Sequence, residues 1–150
     1  YVRIGNGTAR NQHVYVRNMA WAHVLAAKAF VDKNNKVLGK AYFITDGPPA
    51  NFFTFFDHIV TQAGYTIRPR NLWLPQGFTY ALGTMAEYLA LMIRPVKYYV
   101  PKLSRFAVMY TCTDFTFTAE QAKNDFGFVP TYDHSEAMRR TIDYFRKVSS

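Results

Sequence analysis

"HVYVRNMAWAHVLAAKAF", residues 13–30, passes from a β-rich stretch into an apolar helix, and its reading sets the fold class. Val14, Tyr15 and Val16 carry the β-branched and aromatic side chains of a strand. Asn18 stands where a side-chain oxygen would cap a helix opening at Met19. Trp21, Val24, Leu25 and Lys28 follow at helical spacing, with alanines between them that permit close packing. The stretch predicts a strand-to-helix unit.

The alternation continues on both sides. Gly5-Asn6-Gly7 is a turn signal after a short strand. The first helix is expected to end at the polar run Asp32-Lys33-Asn34-Asn35. Lys40 to Thr45 reads as a buried strand, stopped by Asp46-Gly47-Pro48-Pro49, whose prolines cannot donate to a ladder. Asn51 is the expected cap of a second helix, with Phe52, Phe55, Phe56, Ile59 and Val60 as its apolar stripe and Gly64 as its end. Strand, helix, strand and helix with short connections is the pattern of an α/β fold. In the last third, Thr118-Ala119-Glu120-Gln121 reads as a capping box before a short helix closed by Gly127. Asp133-His134-Ser135-Glu136 opens a terminal helix whose apolar face is Ala137, Met138, Thr141, Ile142 and Phe145. No repeat, low-complexity segment or flexible linker divides the chain.

Residues 72–101 differ in kind. Phe78 to Ile93 is apolar nearly all round, interrupted only by Glu87. A spanning helix needs about 20 apolar residues, and this run between Pro75 and Pro95 falls short and carries a carboxylate. It predicts a membrane-associating segment lying in the interface, with Trp73, Phe78, Leu82 and Leu89 facing the membrane. Arg94, Lys97, Tyr98 and Tyr99 are residue types that sit at headgroup depth. The alternatives are an ordinary hydrophobic helix packed on a partner domain and a true span.

Composition bounds the function. With 49% hydrophobic and 17% aromatic residues the chain is expected to fold. Lys and Arg number 18 against 10 Asp and Glu, a formal charge of +8, yet no run of five basic residues occurs. Arg139, Arg140, Arg146 and Lys147 are interspersed with Glu136 and Asp143, as on a solvated helix face, which argues against nucleic acid as a partner. Cys112 stands alone, so an internal disulfide and a cysteine metal cluster are excluded. His13, His23, His58 and His134 include no pair at ligand spacing on one helix face, and no metal is expected. A chain opening at Tyr1 without a signal-like segment reads as a fragment or processed product. Gly5-Asn6-Gly7 leads into a strand, so it gives no phosphate cradle. No Gly-x-Ser-x-Gly elbow occurs, and Tyr42, Tyr65, Tyr88 and Tyr132 each lack a lysine four residues on. No catalytic residue is assigned within the chain.

The stretch quoted above, Ala41-Tyr42-Phe43-Ile44-Thr45-Asp46-Gly47-Pro48, and Phe115-Thr116-Phe117-Thr118 with its Phe126-Gly127-Phe128-Val129-Pro130 continuation occur in one order. In that order the chain resembles the C-terminal half of the 3β-hydroxysteroid dehydrogenase/isomerase family, a branch of the extended short-chain dehydrogenases. The ending Glu136-Ala137-Met138-Arg139-Arg140-Thr141 is similar to that family's final helix. The resemblance implies the C-terminal part of a Rossmann-type fold, with 1–150 as the substrate-binding or lid portion. It implies an NAD- or NADP-binding half, outside these residues, that supplies the catalytic Ser, Tyr and Lys. It further implies a sterol substrate, attachment to the cytosolic side of the endoplasmic reticulum membrane, and a homodimer of the full-length protein. Gln12, His13 and Tyr15 are then the expected substrate-lining residues, against the alternative that they only tie the segment to its neighbours. Oxidation of a 3β-hydroxyl, with or without Δ5–Δ4 isomerisation, is the implied reaction. The competing functions are decarboxylating oxidation of a sterol 4α-carboxylate, for which Arg10 or Arg17 is the local cation, and a non-catalytic membrane- or sterol-binding module.

Overall fold

The computed structural model describes residues 2–69 and 72–149. The chain folds as two compact units, one of residues 1–11, 50–61 and 65–115, the other of residues 12–49, 62–64 and 116–150.

In the first unit, β1 (Arg3–Ile4) pairs in parallel with β4 (Trp73–Leu74), and β2 (Arg10–Asn11) pairs antiparallel with β3 (Ala50–Asn51). The expected turn follows β1, with Gly7 at φ +69°. A Cβ at Gly7 would stand 2.2 Å from the Trp73 ring, so the glycine is needed both for its backbone and for the room it leaves. Trp73 is held there by the Phe53 ring, edge-on at 5.5 Å, and by the Arg3 guanidinium, 5.5 Å from its centroid. Helix α2 (Phe52–Gln62) opens where the sequence places it, because Asn51 Oδ1 accepts from Thr54 N at 3.1 Å, and it buries Phe53 and Ile59.

Helix α3 (Gln76–Ile93) covers the apolar run, and helix α4 (Arg105–Cys112) packs against it. The sequence reading contains no helix at 105–112. Its signal is Ser104, whose hydroxyl accepts from Ala107 N at 3.1 Å as an N-cap. Gly83 permits the close approach, since a Cβ there would lie 3.1 Å from the Ser104 carbonyl carbon. Val108 is fully buried.

The second unit is built on α1 (Val16–Val31), α5 (Glu120–Phe126) and α6 (His134–Ser149). Its core gathers Ala22, Ala122 and Phe128, with Leu25, Tyr42, Ile44 and Phe126 packed on it. Gly127, at φ +73°, closes α5 as expected, and Asp133 caps α6 by accepting from Glu136 N at 2.8 Å. On α6, Glu136 pairs with Arg139 and Arg140 and is held down at about 2 by them. The basic residues there form the solvated face that the sequence predicts.

Three expectations are corrected. The strand expected at Val14 to Val16 is absent: residues 12–15 carry no ladder, and α1 already begins at Val16. Asn18 is therefore inside the helix and caps nothing. The cap is supplied from a distance, by Asp46 Oδ2 accepting from Tyr15 N at 2.7 Å. The strand expected at 40–45 is likewise absent. Tyr42 and Ile44 turn towards the core while Ala41 and Phe43 are exposed, as in a strand, but the backbone pairs with no neighbour among the described residues. β propensity describes fit to a pleated surface and makes no strand without a partner. The fold is α/β in composition, with helices and two short strand pairs among the described residues and no closed sheet.

Candidate functional site

The second unit holds an open cleft of about 510 Å³. Gln12 lies on its wall with both ends of its carboxamide engaged. Nε2 donates to the Gly47 carbonyl at 3.1 Å, and Oε1 accepts from Phe117 N. These two bonds join the segment after β2, the Asp46-Gly47 turn and the chain before α5. Phe43 and Phe117 also line the cleft and stack with ring centroids 4.2 Å apart at 8°. They remain 60% and 42% exposed, so two large rings are presented to solvent at the cleft. Pro49, Thr116, Thr118 and Gln121 complete the lining. Thr118 also accepts from Glu120 N at 3.2 Å. The wall is thus apolar rings edged by neutral polar groups, with no ionised side chain on it.

The turn beneath this wall is fixed by a buried polar centre. Asn18, with no exposed surface, donates from Nδ2 to Asp46 Oδ2 at 2.7 Å and to the Tyr132 carbonyl at 2.8 Å. Its Oδ1 accepts from Thr131 N at 3.1 Å and Tyr132 N at 3.0 Å. Tyr132 in turn receives the Tyr15 ring edge at 5.5 Å and the Arg140 guanidinium at 4.8 Å. Arg17 donates to the Tyr132 hydroxyl at 3.4 Å and, foremost among the neighbours, lowers its pKa.

Of the residues expected to line substrate, Gln12 is on the cleft. His13 and Tyr15 are half-buried beside it in sequence and lie off its lining. Burial lowers the pKa of His13 below 6.5, which favours the neutral ring. Neither Arg10 nor Arg17 is on the lining. Phe43 and Phe117 were not singled out from sequence as site residues; their pairing follows from a contact across distant segments. Among the four residues expected to face a membrane, Phe78 and Leu89 are exposed on α3 at 57% and 51%, Leu82 is half-buried, and the Trp73 ring is engaged by Phe53 and Arg3.

A Tyr-x-x-x-Lys spacing does occur, at Tyr98 and Lys102, a pair that the sequence reading passes over. Residues 97–103 are not helical, and Pro101 lies between the two, so no helix face brings phenol and ammonium together. Among the described residues no group of His, Cys, Asp and Glu could hold a metal. Nor does the Gly5-Asn6-Gly7 turn fit a dinucleotide phosphate. The space over Gly7 is filled by the Trp73 ring, a Cβ at Gly5 would meet Cys112 Sγ at 2.7 Å, and no helix N-terminus follows that turn.

A family model described as "3-beta hydroxysteroid dehydrogenase/isomerase family" matches residues 1–75, half of the chain. No solved structure matches it.

Proposed function

The chain belongs to the 3-beta hydroxysteroid dehydrogenase/isomerase family, and from that premise we propose that it supplies the steroid-facing wall of an NAD(P)-dependent oxidoreductase that oxidises a 3β-hydroxyl. The observation that carries the reading is the Phe43–Phe117 stack, left open at a cleft whose polar edge is neutral. A flat, uncharged ring system gains from aromatic faces and would lose against a charged wall. The chain's own residues bind and orient in this reading. Gln12 spaces the two aromatic segments through one Nε2 hydrogen and its Oε1, and its second Nε2 hydrogen is left to donate. Hydride and proton transfer fall to residues other than those described here. A 4α-carboxylate substrate is disfavoured, because neither Arg10 nor Arg17 reaches the lining. The cytosolic face of the endoplasmic reticulum membrane is the proposed location, supported by the apolar surface exposed along α3.

The test uses the protein produced from its complete coding sequence, with NAD(P) reduction followed in the presence of 3β-hydroxysteroids. Phe43→Ala removes a ring that is exposed, so folding is spared. Loss of one aromatic contact should raise KM about tenfold with kcat unchanged. A protein that binds the dinucleotide and turns over no hydroxysteroid sinks the enzyme reading and leaves a binding module. Turnover with an unchanged KM in the variant moves the steroid off this cleft.

A further inference from the structure

We propose that Asn6 is a self-modification site, at which the chain converts its own carboxamide to aspartate and isoaspartate and releases ammonia. Asn6 is the one asparagine in the sequence followed by glycine, and it is exposed in the turn between β1 and β2. Asn11 and Asn18 have no exposed surface, and Asn51 has both ends of its carboxamide engaged, by Gly7 and Thr54.

The turn is arranged for an internal attack. Asn6 Oδ1 accepts from Thr8 N at 3.2 Å and from Thr8 Oγ1 at 2.8 Å, which closes an Asx-turn. That ring folds the Asn6 side chain back over the intervening peptide, so Cγ faces the Gly7 nitrogen. Gly7 brings no Cβ to obstruct the approach, and its amide donates to no partner among the described residues. Hydroxide removes the Gly7 amide proton, and the nitrogen forms a bond to Cγ. The charge that develops on Oδ1 meets two Thr8 donors already in place. Collapse breaks the Cγ–Nδ2 bond, and ammonia leaves with a proton from water to give a succinimide. Water then opens the ring at either carbonyl. Cleavage of the new N–Cγ bond gives aspartate, and cleavage of the original peptide bond gives isoaspartate. The balance is one water consumed and one ammonia released, with no change of oxidation state.

The isoaspartate product puts an extra methylene into the main chain before Gly7. Gly7 lies against the Trp73 ring with no room for a Cβ, and its carbonyl accepts from Asn51 Nδ2. Asn51 in turn caps α2 through Thr54 N. A lengthened chain cannot keep both contacts, so the modification loosens the seat of Trp73 on β4 and the head of α2 together.

This inference is independent of the dehydrogenase reading, because its readout is the mass of one peptide and not turnover. The full protein is held in neutral and mildly alkaline buffer made with water enriched in heavy oxygen. Cleavage after Arg3 and Arg10 in ordinary water then isolates residues 4–10 for mass spectrometry. That peptide should gain labelled oxygen in exchange for its amide nitrogen and split into aspartate and isoaspartate forms. It should do so ahead of every other asparagine peptide, at a rate proportional to hydroxide. Thr8→Ala removes one donor from Oδ1 and should slow the conversion roughly fivefold, the worth of one such hydrogen bond, while Thr8→Ser should restore it. Thr8 is exposed, and circular dichroism checks that the fold is kept. The isoaspartate form, separated by chromatography, should melt several degrees below the unmodified protein. Conversion at Asn6 no faster than at the other asparagines, a rate that T8A leaves unchanged, or an isoaspartate form that melts with the parent overturns the proposal. So does protein from its native source that carries sugar on Asn6, since Asn6-Gly7-Thr8 is also a glycan-acceptor triplet.

Discussion

Replacing Asn18 with Ala removes four hydrogen bonds at a site with no exposed surface, those to Asp46, to the Tyr132 carbonyl, and to the Thr131 and Tyr132 amides. A bond of this kind contributes about 1 kcal/mol net, and a buried partner left unsatisfied costs about 1–3 kcal/mol. Thr131 is exposed and Asp46 half-buried, so water re-satisfies part of the set. The expected loss is about 3–4 kcal/mol. Asn18→Asp is the sharper probe, since it keeps size and the oxygen facing the two amides. It replaces the donor 2.7 Å from Asp46 Oδ2 with a second carboxylate oxygen. The folded state then favours a proton shared by the pair, so the new group's folded pKa lies above its unfolded value. That penalty is full above the raised folded pKa, shrinks as pH falls through it, and is gone below the unfolded value of about 4. Urea unfolding followed by far-ultraviolet circular dichroism, at neutral and acid pH, measures both. If N18A stays within about 1 kcal/mol of the parent, or N18D shows no recovery in acid beyond the parent's own trend, the polar centre does not hold this unit together.

Gly7→Ala should cost about 2–4 kcal/mol in the same assay, from positive φ and from a Cβ driven into a Trp73 ring held by Phe53 and Arg3; a loss below about 1 kcal/mol refutes the packing argument. For His13, burial lowers the folded pKa below 6.5, so the unfolded chain takes up the proton first. Its contribution to stability is lost as pH falls through 6.5 towards the folded value, and His13→Gln should flatten that part of the profile. Thermal melts across the neutral to mildly acid range decide it, an unchanged slope in the variant being the refuting result.

Features encoded within a few residues were legible in the sequence. Asn51, Gly127 and Asp133 each act on a neighbouring amide or on their own backbone, and each ends or begins a helix as read. What depended on distant partners was not. Asn18 satisfies two amides more than a hundred residues away, which no local pattern announces. Residues 40–45 have a strand's alternation, but a ladder is a property of two segments. Helix α4 was legible in principle from Ser104 and the apolar positions after it, and was obscured by the apolar run before it. In the cleft, Gln12 is reached from sequence by resemblance, whereas Phe43 and Phe117 meet through a contact across 74 positions, 117 minus 43.

The turn at 46–47 ties the head of α1 to the cleft wall. Asp46 accepts from Tyr15 N at the head of α1 and from the Asn18 side chain one turn later. Its neighbour Gly47 accepts from Gln12 on the cleft wall. Two consecutive residues therefore fix where α1 starts and where the wall stands. Gln12 gives one Nε2 hydrogen and its Oε1 to that geometry, and the aromatic stack supplies the apolar recognition surface. A substrate held by ring faces and excluded polar contacts is selected for shape and neutrality more than for any one hydroxyl. Discrimination among steroids at this wall should accordingly follow ring planarity and added charge, while the orientation of the reacting oxygen is set by groups outside it.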